Sequence, residues 1–171
     1  MSFPSSSSAT GRIRLRAASA DDASLILALV GELADYEQLC HEAVASEADL
    51  IEHLFGAQPA AEVVIAEFDG EPAGLALFFR TFSTFLGRPG LYLEDLFVRP
   101  ALRGHGIGKA LMVHLARLAV ARGYGRFEWS VLDWNAPAIG FYRRLGAIGM
   151  DGWTMQRVSG QALQALAALD G

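Results

Sequence analysis

Apolar residues along the chain recur at two different spacings, and these spacings predict the first two elements. Ile13–Arg16 alternates apolar and polar side chains, a period of two that predicts a short strand. Leu25, Leu29 and Leu33 then recur at steps of four, which places them along one face of a helix. The predicted helix, Ser19–Glu37, opens with a favourable N-cap serine, and two aspartates follow at its positive end.

A second helix is predicted to begin at Ser46. The run Ser46-Glu-Ala-Asp49 is a capping-box pattern, with aspartate in place of the usual glutamate. We expect the buried face of this helix to consist of Leu50, Ile51 and Leu54.

Three strands are predicted next, in segments rich in β-branched and aromatic residues. Asp69-Gly70 is a hairpin signal between the first two strands, and Gly87–Gly90 is expected to be a loop before the third. The strands are predicted at Glu62–Phe68, Ala73–Phe82 and Tyr92–Val98.

The remaining chain opens with a glycine-rich turn at Arg103–Gly108 and a long helix to about Arg122, which Gly123 and Gly125 stop. One face of that helix carries Ile107, Leu111, Leu115 and Leu118. The later elements are expected to be a strand at Phe127–Leu132, a helix at Asn135–Arg144, a last strand or hairpin arm at Ile148–Val158 and a helix at Gln161–Leu169.

The resulting order, β-α-α-β-β-β-α-β-α-β, predicts an α/β (α+β) fold in which helices flank a mixed, mostly antiparallel central sheet. A helix joins Tyr92–Val98 to Phe127–Leu132, so these two strands are expected to run parallel in a right-handed crossover.

Composition narrows the classes of function. The 171 residues are 52% apolar, which suits one domain at 12–171 after a serine-rich flexible tail at 1–11 that lacks the features of a signal peptide. No segment approaches the roughly 18 apolar residues of a membrane helix. A net charge of -5 without a basic stripe argues against a nucleic-acid partner. The single cysteine, Cys40, excludes an intrachain disulfide and suits the cytoplasm, and the histidines show no metal-ligand spacing.

The glycine turn between a strand and a helix predicts an anion site. Glycines at positions 104, 106 and 108 allow close approach of the backbone, and the helix start offers unpaired N–H groups suited to a pyrophosphate. A P-loop is excluded because Ala110 follows Gly108-Lys109, and a dinucleotide fingerprint fits poorly because the turn lies late in the chain. A tight turn without a ligand is the remaining alternative.

Arg103-x-x-Gly106-x-Gly108 resembles the acyl-CoA signature of the GCN5-related N-acetyltransferases (GNAT superfamily). The resemblance spans about residues 12–158 and is closest to the diamine (spermidine/spermine N1-) acetyltransferase-like branch. Further segments carry it: Leu33-Ala-Asp-Tyr-Glu37, Leu91-Tyr-Leu-Glu-Asp-Leu-Phe-Val98 and Trp134-Asn-Ala-Pro-Ala-Ile-Gly-Phe-Tyr-Arg-Arg-Leu-Gly-Ala147.

The resemblance implies acetyl-CoA as co-substrate, a homodimer, and a role for each matching residue. The cofactor-binding residues would be Leu96, Phe97, Val98, Arg103, Gly104, His105, Gly106, Ile107, Gly108, Lys109, Asn135, Ala136, Pro137 and Ala138. The amine pocket would be formed by Tyr36, Glu37, Glu94, Glu128, Trp129 and Ser130. The parallel strands would splay apart at the cofactor.

The resemblance also implies catalytic roles for Glu94 and Tyr142, and both roles suit the chemistry of amine acylation. Only the neutral form of an alkyl amine attacks a thioester, so a carboxylate that attracts the cation and accepts its proton is useful. Glu94 and Asp95 are consecutive on a strand and should face opposite sides, and the resemblance favours Glu94, with an ion pair to Arg99 or Arg103 as the alternative. Tyr142 would protonate the leaving thiolate, unless it is only a core aromatic.

The function predicted from the sequence is therefore an acyl-CoA-dependent N-acetyltransferase. It would transfer acetyl to a primary amine of a small molecule, a polyamine, a diamine or a lysine-like amino acid, by direct attack in a ternary complex. Two alternatives are a GNAT enzyme acting on a protein or peptide amine and a non-catalytic acyl-CoA-binding sensor.

Overall fold

The computed structural model describes residues 12–169, so the predicted tail at 1–11 lies outside the described residues. The chain forms two compact units that divide between Ser130 and Val131. The first unit contains the sheet and three α-helices, and the second contains two further α-helices. No helix among the described residues is long and apolar enough to cross a membrane.

A five-stranded sheet with the order β1-β2-β3-β4-β5 forms the centre of the first unit. Its first four strands pair antiparallel, and β5 pairs parallel to β4, which confirms the predicted mixed sheet. The strands are β1 Ile13–Ala17, β2 Glu62–Phe68, β3 Glu71–Ser83, β4 Arg88–Val98 and β5 Phe127–Trp129.

The second and fourth helices begin where the capping residues predict. The predicted N-cap Ser19 instead precedes a 3-10 turn at Ala20–Asp22, and the first α-helix begins only at Ala23. Ser46 caps the second helix in a reciprocal capping box with Asp49, and Asn135 caps the fourth by accepting a hydrogen bond from the Ala138 amide. The helices are α1 Ala23–Glu37, α2 Glu47–Phe55, α3 Ile107–Ala121, α4 Ala136–Arg144 and α5 Gly160–Ala167.

Helix α1 covers one face of the sheet and supplies much of the core. Its residues Ile26, Leu29 and Leu33 pack in one cluster with buried residues of β2, β3 and β4. Alternate strand residues such as Ala76 point to the other face, and α3 packs on the sheet with Leu111 fully buried. Two layers of helices thus enclose the sheet, as the apolar stripes predict.

A β-bulge interrupts β4 where its pairing with β5 ends. The β3–β4 ladder pairs Leu77 with Asp95 and Phe78 with Leu93, so Glu94 is the extra residue. The β4–β5 ladder stops at the pair of Leu93 and Trp129. The prediction of a strand as far as Leu132 was therefore wrong, because pairing does not continue past the bulge.

Two other local predictions were wrong for reasons of packing. Gly90 lies within β4 instead of a loop. It approaches β3 so closely that an added Cβ atom would lie 2.8 Å from the Thr81 hydroxyl oxygen, so the strand requires glycine at this position. The connecting turn lies earlier, at 84–87. In α2, Leu50 and Leu54 pack against the core cluster, but Ile51 is 43% exposed and does not belong to the buried face.

The second unit lacks the predicted last strand. Residues 148–158 pair with no strand among the residues that the structure describes. Their apolar side chains are exposed, including Ile148 at 82% and Trp153 at 77%. The prediction of a last strand or hairpin arm here was therefore wrong, because a strand is stable only with hydrogen-bonded neighbours.

Candidate active site

The glycine turn has the backbone geometry of an anion site. Gly104 and Gly106 have φ values of +83° and +85°, which favour glycine over residues with a side chain. A Cβ atom added at either glycine would meet nothing within 4 Å, so the space beside the turn is open. Gly106 is the N-cap of α3 and offers no side-chain cap. The first N–H groups of α3 therefore remain available to a ligand.

His105 and Lys109 flank these amides. The His105 ring packs on Phe68 with ring centroids 4.9 Å apart, and its Nδ1 lies 3.1 Å from the Leu102 carbonyl oxygen, which accepts from the Nδ1–H tautomer. Lys109 lies in the first turn of α3 with its side chain exposed. The His105 ring thus supports the fold of the turn, while Lys109 adds a positive charge beside it.

The last residues of β4 form an open strand edge beside this turn. After Leu93, β5 no longer pairs with β4, so the backbone of Leu96, Phe97 and Val98 has no strand neighbour on that side within the described chain. Phe97 is buried, whereas Leu96 and Val98 are partly exposed. Such an edge can hydrogen-bond an extended amide-containing chain.

Three carboxylates gather just before that edge. Asp95 lies opposite Leu77, which packs against the α1 cluster, so Asp95 faces the α1 side of the sheet. Burial raises the pKa of Asp95 to about 6, and the negative charges of Glu94 and Glu37 add to the increase. Burial also raises the pKa of Glu37. The expected alternation of Glu94 and Asp95 does not apply, because Glu94 is the bulged residue.

The two arginines that the sequence offered as partners for Glu94 are engaged elsewhere. Arg99 pairs with Glu32 at 2.8 Å, and it also donates to the Pro72 carbonyl. Arg103 donates from Nε to the Val98 carbonyl at 3.0 Å. Because these contacts are with other groups, neither arginine neutralises the carboxylates of Glu94 and Asp95, and the potential at this part of β4 is negative.

The β5 residues predicted for the amine pocket make contacts within their own neighbourhood. Glu128 forms an ion pair with Arg126 at 2.7 Å. The Trp129 ring packs on Phe127 at 4.9 Å, and Ser130, just past the end of β5, lies 2.8 Å from the Tyr92 hydroxyl. Glu128 is thus partly neutralised by its own neighbour.

The second unit carries the remaining predicted residues on α4. Asn135 is 6% exposed and its side-chain oxygen caps the helix. Ala136, Pro137 and Ala138 form the first turn, where proline has no N–H and the Ala136 and Ala138 amides donate to the Trp134 carbonyl and the Asn135 side chain. Tyr142 is partly buried and packs beside the Phe141 ring at 5.2 Å. The structure therefore gives α4 an exposed N-terminus and a phenol two turns later.

Two features of the site were missed by reasoning from the sequence. Asp95 was set aside in favour of Glu94, although it is the carboxylate whose pKa is raised most clearly. The other missed feature is the contact between Arg103 and Tyr36, whose guanidinium carbon and ring centre lie 4.4 Å apart and which had no sequence signal. Glu37 was predicted in the amine pocket, and it extends the steps of four through Leu29 and Leu33 that form the buried face of α1. No group of metal-ligating side chains is found among residues 12–169.

Comparison with known proteins identifies the family. A model of the Acetyltransferase (GNAT) family matches residues 30–147. The chain is 36% identical to a thialysine N-epsilon-acetyltransferase of Sus scrofa, over 91% of this chain and 97% of the relative. It is 32% identical to the L-ornithine N5-acetyltransferase NATA1 of Arabidopsis thaliana, over 92% and 89%. An integron cassette protein from the mobile metagenome of V. cholerae has a similar structure, with a TM-score of 0.78, 27% identity and coverage of 92% and 99%.

These matches cover nearly the whole length of the relatives and include the glycine turn, the carboxylate group and Tyr142. The chain belongs to the GNAT family, in its diamine acetyltransferase-like branch, and is an acyl-CoA-dependent N-acetyltransferase.

Proposed function

We propose that this enzyme transfers an acetyl group from acetyl-CoA to the terminal primary amine of a small molecule, a polyamine, a diamine or a lysine-like amino acid. The observation that carries the proposal is the order of sites along β4. A negatively charged group at Glu94 and Asp95 directly precedes an open strand edge, and an anion-binding turn follows. The named relatives act on thialysine and ornithine, which supports a small amine.

The residues present fit CoA, which supplies the acetyl group as a thioester. The open edge at Leu96–Val98 suits the amide groups of pantetheine, and the amides of Gly104–Lys109 suit its pyrophosphate. Lys109 adds a cation near the phosphates. The first turn of α4, Asn135–Ala138, is proposed to contact the cofactor through the exposed surface of Ala136 and Pro137. A Cβ at Gly104 or Gly106 would reduce the open space that such a ligand needs.

In the proposed reaction, the carboxylates on β4 attract the ammonium form of the amine and accept one proton. The neutral nitrogen attacks the thioester carbonyl carbon, a C–N bond forms and the C–S bond breaks. Tyr142 donates its phenolic proton to the leaving thiolate, and the resulting phenolate takes up the second proton that the nitrogen loses as the amide forms. Glu94 is proposed to be the exposed carboxylate that meets the amine, while ionised Asp95 behind it maintains the negative field.

We also propose that the two units work as one catalytic domain, since the family match at 30–147 crosses the boundary between them. A homodimer in the cytoplasm completes the proposal. The second unit leaves Trp153 and Met155 exposed at 77% and 66%, apolar surface that a second copy would cover. The single Cys40 is compatible with a reducing compartment.

A panel of amines tests the proposed function. Thiol release from acetyl-CoA would be measured at pH 8 with spermidine, putrescine, lysine, thialysine, ornithine, an aminoglycoside and a basic peptide. We expect turnover with at least one small diamine or amino acid and none above background with the peptide. Turnover with the peptide alone would point to a protein amine. Tight CoA binding by calorimetry without any turnover would favour a sensor.

The raised pKa of Asp95 predicts how the activity depends on pH. Asp95 should be ionised above its pKa of about 6, and at pH 5 only about a tenth of the molecules carry the charge. We expect the ratio of wild-type kcat/KM to that of Asp95→Asn to be constant above pH 7 and to approach one as the pH falls below 6, because kcat/KM reports the ionisation of the free enzyme. The ionisation of the amine cancels in this ratio, since both enzymes are measured with the same substrate.

Stability provides the control for that prediction. The pKa of Asp95 is raised by folding, so the ionised side chain weakens the folded state as the pH rises through about 6. Asp95→Asn should therefore raise the melting temperature at pH 8 and leave it unchanged near pH 3. Glu94→Gln removes a charge that raises the pKa of Asp95. In this variant the loss of stability that accompanies Asp95 ionisation should therefore occur at a lower pH. A kcat/KM ratio that is independent of pH would contradict a role for Asp95 ionisation.

A further inference from the structure

The side chain of Arg103 folds back from the glycine turn onto the end of α1. Its guanidinium carbon lies 4.4 Å from the centre of the Tyr36 ring and 5.9 Å from that of the Phe97 ring. Its Nε donates to the Val98 carbonyl at 3.0 Å. One side chain of the turn thus contacts the ends of two other elements of the first unit, α1 and β4.

We propose that Tyr36 is a positioning residue for the cofactor turn, acting through its stacking contact with Arg103. The inference rests on the proposed function, because it takes the turn as the site that binds CoA. It goes beyond the proposed function because it links Tyr36, a residue of the predicted amine pocket, to the affinity for CoA.

The proposed effect on CoA affinity follows from the conformational freedom of the turn backbone. Gly104 and Gly106 both adopt positive φ, and glycine has more backbone freedom to lose than any other residue when a ligand orders it. Arg103 is the residue directly before them. Anchoring it at the Tyr36 ring and the Val98 carbonyl restricts the start of the turn before the ligand arrives, which lowers the entropic cost of binding.

Tyr36 is itself well supported for this task. It lies in the last turn of α1 and packs against the core cluster around Leu33 and Phe97. Its ring is therefore held by the core, while the guanidinium of Arg103 remains exposed to solvent. At an exposed site a cation–π contact changes an equilibrium by about two- to five-fold.

Calorimetric titration of the full chain with CoA, in the absence of any amine, tests the proposal. Tyr36→Leu keeps an apolar side chain and removes the ring, and we expect it to weaken CoA binding by about two- to five-fold. Tyr36→Phe keeps the ring and should bind CoA as the wild type does. Because no amine is present, a role of Tyr36 in amine binding does not enter the measurement.

A double-mutant cycle separates positioning from a general loss of structure. Arg103→Gln should weaken CoA binding, and adding Tyr36→Leu to Arg103→Gln should have no further effect. Arg117→Gln removes an exposed cation elsewhere on α3 and should leave CoA affinity unchanged. Melting temperatures within a few degrees of the wild type would show that the variants fold.

The two ways in which the experiment can fail are distinct. If the wild type and Tyr36→Leu bind CoA equally well, the positioning role is wrong and the proposed function stands. The same holds if the effects of Tyr36→Leu and Arg103→Gln on CoA affinity are independent, so that the double variant shows the product of both. If the wild type does not bind CoA, both the inference and the proposed cofactor site are wrong.

Discussion

Replacing Tyr142 by phenylalanine is expected to lower kcat by about 10²- to 10⁴-fold, the range that a positioned general acid contributes. The substitution keeps the aromatic ring, which packs beside Phe141 in α4, and removes only the hydroxyl group. Without that donor, the thiolate would leave without a proton. Initial rates with the best amine of the panel, at saturating concentrations of both substrates, measure the effect.

The control separates lost chemistry from lost structure. CoA affinity of Tyr142→Phe should stay within a few-fold of the wild type, since the residues assigned to the pantetheine and the pyrophosphate are unchanged, and its melting temperature should show that the variant is folded. Tyr124→Phe removes a phenol that hydrogen-bonds Arg122 at the end of α3, and it should keep full kcat. Undiminished kcat in Tyr142→Phe would remove Tyr142 as the general acid and leave the enzyme class intact.

The second large effect is expected at the glycine turn, where Gly106→Ala should weaken CoA binding by roughly 10- to 100-fold. Gly106 has a φ of +85°, so a side chain there strains the backbone at the start of α3. The amides of the turn would shift, and a single charge-assisted hydrogen bond to a phosphate lost in this way accounts for about 1.5–3 kcal/mol. Calorimetric titration with CoA measures the loss directly.

Gly70 offers a matched control for this substitution. It has a φ of +87° in the β2–β3 hairpin, and a Cβ atom there also meets nothing within 4 Å. Gly70→Ala should therefore lose about as much unfolding free energy as Gly106→Ala, roughly 1–2 kcal/mol, and keep its affinity for CoA. Equal losses of CoA affinity in both variants would show that strain, and not the ligand site, explains the result.

Much of the fold, together with the glycine turn of the candidate site, was predictable because the sequence signals are local. The capping box at Ser46, the hairpin at Asp69-Gly70 and the turn before α3 all depend on neighbours within a few residues. The positive φ values at Gly104 and Gly106 confirm the tight glycine turn, and the anion that it would bind stays a prediction. Such features can be recognised from the sequence since the interacting groups are adjacent along the chain.

The features that were missed depend on contacts between distant segments. Whether a strand forms at residues 148–158 depends on a partner edge, which no local pattern specifies. The bulge at Glu94 is a property of the register between β3 and β4. It cancels the alternation that separated Glu94 from Asp95 in the sequence-based prediction.

The sequence by itself determined the order of the elements apart from the last strand, the capped starts of α2 and α4 and the glycine turn before α3, because each arises from short-range backbone and capping preferences. Only the tertiary structure decided which carboxylate is perturbed and which side chain holds the turn. Asp95 has a raised pKa because folding buries it near Glu94 and Glu37. Arg103 contacts Tyr36 because α1 and β4 pack together, although the two residues are far apart in sequence. Burial and charge proximity are properties of the assembled fold, and they arise only when the long-range contacts form.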